Sequence, residues 1–192
     1  TWGGAPGGGL PYIVPGLNGG IGNTNGSTLR SDPFFANAGD DLQFWFNYVT
    51  SDGAGFADYA WARLLDASNT EVALLFTART KASGSIVPGF GMPVPLATLL
   101  PATVPIIAGA PAWAPLGVST TSCYSTGCGY TGWVQANYAI LSAGTFSVEY
   151  GVTNWSDTHF DSGLAFSGLT IEGAAVNTQV VPVPAAAWLF AS

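Results

Sequence analysis

The sequence predicts an all-β protein: a two-sheet antiparallel β-sandwich or jelly roll with a long Pro-rich apolar loop and an extended N-terminal arm. Three observations predict it. Apolar and polar residues alternate in several runs of strand length. Clusters of Gly, Pro, Asn and Ser separate those runs, and no segment shows a convincing helical period with caps. A chain of 192 residues suits one domain of the larger all-β kind, long enough to bury a sizeable core.

The elements follow in order. Residues 1–30 open with TWGGAPGGGLPYIVPGLNGGIGNTNGST, rich in Gly, Pro and Asn and without apolar periodicity, and read as a flexible or extended arm. The domain proper is expected over 31–176. In DLQFWFNYVT, Leu42, Phe44, Phe46 and Tyr48 alternate with Gln43, Trp45, Asn47 and Val49, so one face is decidedly apolar. DYAWARLLD and EVALLFTART, separated by Ala67 to Thr70, read as a hairpin. A helix over AGFADYAWARLLDA is the alternative, since Ala, Leu and Arg favour helix; the turn-like connector and β-rich neighbours favour strands. WVQANYAIL and TFSVEYGVTNW, joined by Ser142, Ala143 and Gly144, read as a second hairpin, and GLAFSGLTIEG as the last strand. The sum is about seven or more strands.

The middle of the chain is unusual. From Ala82 to Val148 there is no Asp, Glu, Lys or Arg, and the insertion 83–118 holds seven of the chain's 13 prolines. Pro at that density forbids regular central strands and helices, so an irregular loop is expected to carry Ile86, Phe90, Leu99, Ile106, Ile107 and Trp113. Such a loop either folds back as a lid over one sheet or forms a contact surface for another subunit.

Charge excludes some partners. Only 8% of residues are charged and the net charge is -7, with Arg30, Arg63, Arg79 and Lys81 the only basic residues. Nucleic acid and anionic lipid both need clustered Lys and Arg, so neither is an expected partner. No apolar run reaches the roughly 18 to 20 residues of a membrane-spanning helix. Thr1 follows no Met or leader, which reads as a processed or truncated start.

Cys123 and Cys128 sit in SCYSTGCGY, a short Ser/Gly-rich loop that can bring them within bridging range. A local disulfide implies an oxidising compartment. A zinc half-site is the rival reading, but with one His and no second Cys pair it has too few ligands.

Asp52, Asp58, Asp157 and Asp161 fall at strand ends or in polar loops and are the candidate ligands of a structural calcium, the one cofactor considered. SDGAGFADY lacks the regular spacing and closing Glu of a calcium loop, and Asp before Gly or Ser caps a turn without metal, which the residues favour. His159, between Asp157 and Asp161, invites a Ser-His-Asp arrangement. No nucleophile elbow accompanies it, and no enzymatic activity is expected. Most of the aromatics lie on alternating strands and are expected in the core; Trp113, Tyr124 and Tyr130, in loops, are the candidates for stacking on sugar rings. The two N-glycosylation sequons, at Asn25 and Asn154, carry no assignment.

The tail, residues 177–192, contains Val181-Pro182-Val183-Pro184 followed by AAAWLFAS. It resembles the start of the PEP-CTERM sorting signal of bacterial exosortase substrates, with Val183 in place of the usual Glu. In that family an apolar segment and a basic cluster follow; here the apolar part is short and the basic cluster missing. FADYAWARLLD together with AGTFSVEYGVTNWSDTHFDSGLAFSGL, and in it Asp161 to Phe166, is similar to β-sandwich domains that such sorted proteins carry.

The resemblance implies export to the surface or exterior of a bacterium and association with exopolysaccharide or biofilm matrix. The expectation is a structural subunit of an extracellular filament, matrix or surface layer, with itself as the main partner. It would assemble through apolar surface and by a donated strand at an exposed sheet edge. The alternative is a carbohydrate-binding surface module.

Overall fold

The computed structural model describes residues 5–6, 22–110 and 112–177. Val181, Pro182, Val183 and Pro184 of the sorting motif lie outside the described residues, as does most of the arm. Six strands come first in the chain: β1 (Ala5–Pro6), β2 (Asn23–Arg30), β3 (Phe34–Ala36), β4 (Asp41–Thr50), β5 (Tyr59–Asp66) and β6 (Glu71–Arg79). The Pro-rich stretch supplies β7 (Ser85–Val87), β8 (Thr98–Leu100), β9 (Val104–Pro105) and β10 (Ile107–Ala108). The rest are β11 (Gly129–Tyr130), β12 (Val134–Ala139), β13 (Gly144–Trp155), β14 (Ser162–Ile171) and β15 (Ala174–Ala175).

The expected β-sandwich is what these strands build. One sheet runs β1-β2-β13-β5-β6, with β3 also on β13. In the other, β4 is central: β14 pairs along one edge, and β12 and then β11 along the other. β8 extends the sheet beyond β12, β10 beyond β11, and β15 beyond the far end of β14.

The alternation in β4 predicts the core correctly. Leu42, Phe44, Phe46 and Tyr48 are fully buried and meet Ala60, Ala62, Leu64, Phe76, Val148 and Tyr150 of the facing sheet. Phe46 stacks on Phe76 with centroids 3.8 Å apart, and Phe44 meets Tyr150 edge-on at 5.3 Å. β5 and β6 form the expected hairpin, Trp61 opposite Thr77.

Several expectations are corrected. β12 and β13 are not a hairpin: β12 pairs with β4 and β8, whereas β13 pairs with β2, β3 and β5 in the other sheet. Both strands carry a buried apolar row, Val134, Ala136 and Tyr138 on one and Phe146, Val148 and Tyr150 on the other. The short turn therefore lets them stack side chain to side chain instead of bonding edge to edge, which buries both rows. Residues 23–30, assigned to the arm, form β2, paired with β13 from Asn23 to Arg30. Trp45 and Trp133, counted with the strand aromatics, are not core: they are 39% and 51% exposed, because they occupy the face opposite the buried row.

The Pro-rich insertion folds back onto the domain. Ile86, Val87, Leu99 and Val104 enter the main core, held in strands of two or three residues at sheet margins, where Pro is tolerated. Its backbone also covers the free edge of β6, through Gly89 N–H to Thr77 O (3.1 Å) and Leu96 N–H to Leu74 O (2.8 Å). One side of the sandwich is thereby sealed.

Candidate strand-docking seam

The opposite side is open. Here β2 and β13 of one sheet face β14, an edge strand of the other, across a cavity of about 400 Å³. Its floor is aromatic and apolar. Phe166 stacks on Tyr150 at 4.2 Å with planes 9° apart, and Leu29, Val152 and Leu164 flank the pair. The Tyr150 hydroxyl is buried without a hydrogen-bond partner among the described residues, and burial pushes its pKa well above the ordinary tyrosine value.

The register states which backbone groups of β14 are open. Ser51 N–H donates to Asp161 O at 3.2 Å, and Ser162 lies opposite Thr50. Antiparallel ladders alternate, so Gly163, Ala165 and Ser167 bond to β4 while Ser162, Leu164 and Phe166 turn their N–H and C=O away from it. The Ser162 N–H accordingly meets Asn154 Oδ1 at 3.3 Å across the mouth of the seam. Those of Leu164 and Phe166 have no partner among the described residues, the condition in which a strand edge accepts another chain.

One buried carboxylate holds this mouth together. Asp58 accepts from Trp155 N–H at 2.8 Å and from the Ser162 hydroxyl at 2.6 Å, and its own carbonyl accepts from the Tyr48 hydroxyl at 3.0 Å. It thus ties the start of β5 to the end of β13 and the start of β14. Burial raises its pKa well above the ordinary carboxylate value, partly offset by the Ser162 bond. Asp161, at the seam rim, is also raised by burial and accepts from Asn154 Nδ2 at 3.5 Å.

The other candidates lie at the same end of the sandwich, in the loops that follow β4 and β13 and the one that precedes β11. Asp52 is buried; one oxygen accepts from Gly53 N–H at 2.6 Å and the other has no partner among the described residues. Burial, with a smaller contribution from the Asp157 charge, pushes its pKa up to about 7. Asp157 accepts from His159 N–H at 2.9 Å and caps its own turn. Among the described residues no group of three or more acidic, His or Cys side chains, those of Asp52, Asp58, Asp157 and Asp161 included, is placed to hold a metal. The exposed His159 ring bonds no Ser or Asp side chain among the described residues, so no triad is formed.

Cys123 and Cys128 are joined in a disulfide with Cα atoms 5.5 Å apart. It closes a loop whose Tyr124 N–H donates to Ser51 O at 2.9 Å. Tyr124 is exposed between Phe56 and Phe160, at 5.6 and 4.8 Å. Trp113 and Tyr130 are elsewhere, edge to face at 5.9 Å on the outward face of the seven-stranded sheet. The three predicted aromatics therefore form two groups. Tyr150 and Phe166 were missed as site residues; the alternation of β13 and β14 marks them as inward, but which edge stays open depends on long-range pairing.

Compared with known proteins, the chain matches no family model, no curated protein and no solved structure.

Proposed function

We propose that the protein is a structural subunit of a bacterial extracellular matrix or surface layer, and that it joins its neighbours by accepting an extended segment along the open seam. The observation that carries this reading is the coincidence of two things at one place. The outward backbone groups of Leu164 and Phe166 lack partners among the described residues, and they border a cavity floored by Tyr150 and Phe166. An added strand would gain main-chain hydrogen bonds from the edge and bury alternate side chains in the cavity, the two components of strand addition. A segment donated by the next copy generates a head-to-tail chain of subunits.

Two further features support the reading. The disulfide is compatible with an oxidising exterior. The low charge leaves few of the side chains that normally protect an exposed edge. The uncharged central stretch, by contrast, contributes much of its apolar surface to the subunit's own core.

The test is a comparison of the intact protein with Leu164→Pro, by sedimentation and electron microscopy over rising concentration. Proline here removes an outward N–H and no ladder bond to β4, so the fold should persist while strand addition is blocked. The expected result is concentration-dependent polymers of the intact protein and their loss in the variant. Monomeric intact protein at high concentration sinks the proposal.

A further inference from the structure

The outward face of the seven-stranded sheet has a composition suited to a ligand. Residues directly opposite in an antiparallel pair share a face. Gln135 and Ser167 therefore lie on either side of Trp45, and Asn137 and Thr170 on either side of Gln43. Trp133 immediately precedes Val134, which is paired with Phe46, so the same register sets it beside Asn47; Tyr130 lies beside Val49. Trp45, Trp133 and Tyr130 thus step along the sheet at two-residue intervals, roughly 7 Å each. Trp113 stands edge-on to Tyr130 and prolongs the series. Trp45, Trp133 and Trp113 are 39%, 51% and 49% exposed.

Beside this aromatic track lies a band of amides and hydroxyls. Gln43 Nε2 donates to Asn137 Oδ1 at 2.7 Å. That bond leaves the Gln43 amide oxygen as an acceptor and the Asn137 amide nitrogen as a donor, neither with a partner among the described residues. Gln135, Ser167 and Thr170 supply further groups of both kinds. None of these residues is ionisable; the carboxylates Asp41 and Glu172 stand at one end of the face, beyond Gln43, and Asp161, beside Gly117, stands beyond Val49 at the other.

We infer that this face is a binding site for an uncharged polysaccharide. A sugar ring offers an apolar C–H face, which stacks on an aromatic ring, and a rim of hydroxyls that both donate and accept, which matches paired amides. The absence of charge across the face gives an ionic polymer nothing to pair with, and the net charge of -7 repels an anionic one. A protein partner fits less well, because the cores of protein interfaces are apolar, whereas amides and hydroxyls occupy the middle of this face. The site is on the outside of the sandwich and does not depend on strand docking at the seam.

The intact protein is mixed with microcrystalline cellulose, insoluble β-1,3-glucan and insoluble starch, with alginate gel as the anionic comparison, and the bound fraction is measured. Retention by at least one uncharged polymer and not by alginate is expected, with apparent affinity falling about tenfold in Trp45→Ala and in Trp133→Ala. Trp45→Phe should recover part of the loss. Unchanged melting temperatures in the three variants would show that binding and not folding was altered; both tryptophans are exposed enough for that comparison. Failure of the intact protein to bind any uncharged polymer overturns the inference, and so does equal retention by the variants. Loss of self-association in Trp45→Ala, without any polysaccharide binding by the intact protein, would assign the face to a protein contact instead.

Discussion

The Ser162 hydroxyl donates a 2.6 Å hydrogen bond to the buried carboxyl group of Asp58, 104 positions earlier in the chain. The other oxygen of the same group receives Trp155 N–H. One side chain thus fixes where β14 begins relative to β5 and β13, and with it the mouth of the open seam. Asp58→Ala should lower stability by about 2–3 kcal/mol, since it leaves two buried donors without an acceptor. Asp58→Asn keeps one acceptor and should lose less. Urea denaturation of the three proteins measures the order; equal midpoints would remove the clamp.

Asp52 makes stability depend on pH in a direction opposite to most surface carboxylates. Its folded-state pKa, about 7, lies above the ordinary value of 3.8, so between these limits the folded protein holds a proton that the unfolded chain has released. Stability from this group is therefore greatest below about pH 4, declines as pH rises toward 7, and is level above that. Asp58, also raised, acts in the same direction. Denaturation midpoints measured from pH 4 to pH 8 should fall, and Asp52→Asn should flatten part of the fall. A profile identical in the variant would show that Asp52 titrates normally.

Gly151 lies on the outer face of the six-stranded sheet, directly beneath Trp61: a Cβ there would sit 2.3 Å from the indole ring. Trp61 is buried and cannot withdraw without disturbing the aromatic cluster it shares with Tyr59, Leu74 and Trp155. Gly151→Ala should cost about 1–3 kcal/mol through overpacking and alter the near-ultraviolet dichroism. A variant with the parent's spectrum and melting temperature would mean that the indole has room to move.

The parts of this fold that were legible in the sequence are those decided by local periodicity. In β4 the inward row follows from the alternation, and the same parity, shared with Gln43 and Asn47, sets Trp45 outward against the expectation that strand aromatics are core. What remained illegible depends on distant partners. The turn at Ser142 and Ala143 is short enough for a hairpin, and only the competition of β4 and β8 for β12, and of β2 and β5 for β13, makes it a crossover between sheets. In the Pro-rich stretch no period survives to say which apolar residues turn inward. Ile86 and Leu99 became core while Ile107 and Trp113 stayed about half exposed. The seam was hidden for the same reason, since an edge strand looks like any other until its neighbours are known.

The uncharged span from Ala82 to Val148 supplies the wall that seals one side of the sandwich and β12 on its outward face. A surface without ions has no counterions to release and no field for salt to screen. Contacts made through this part of the molecule should therefore keep their strength from fresh water to brine, as the extracellular role proposed above would require.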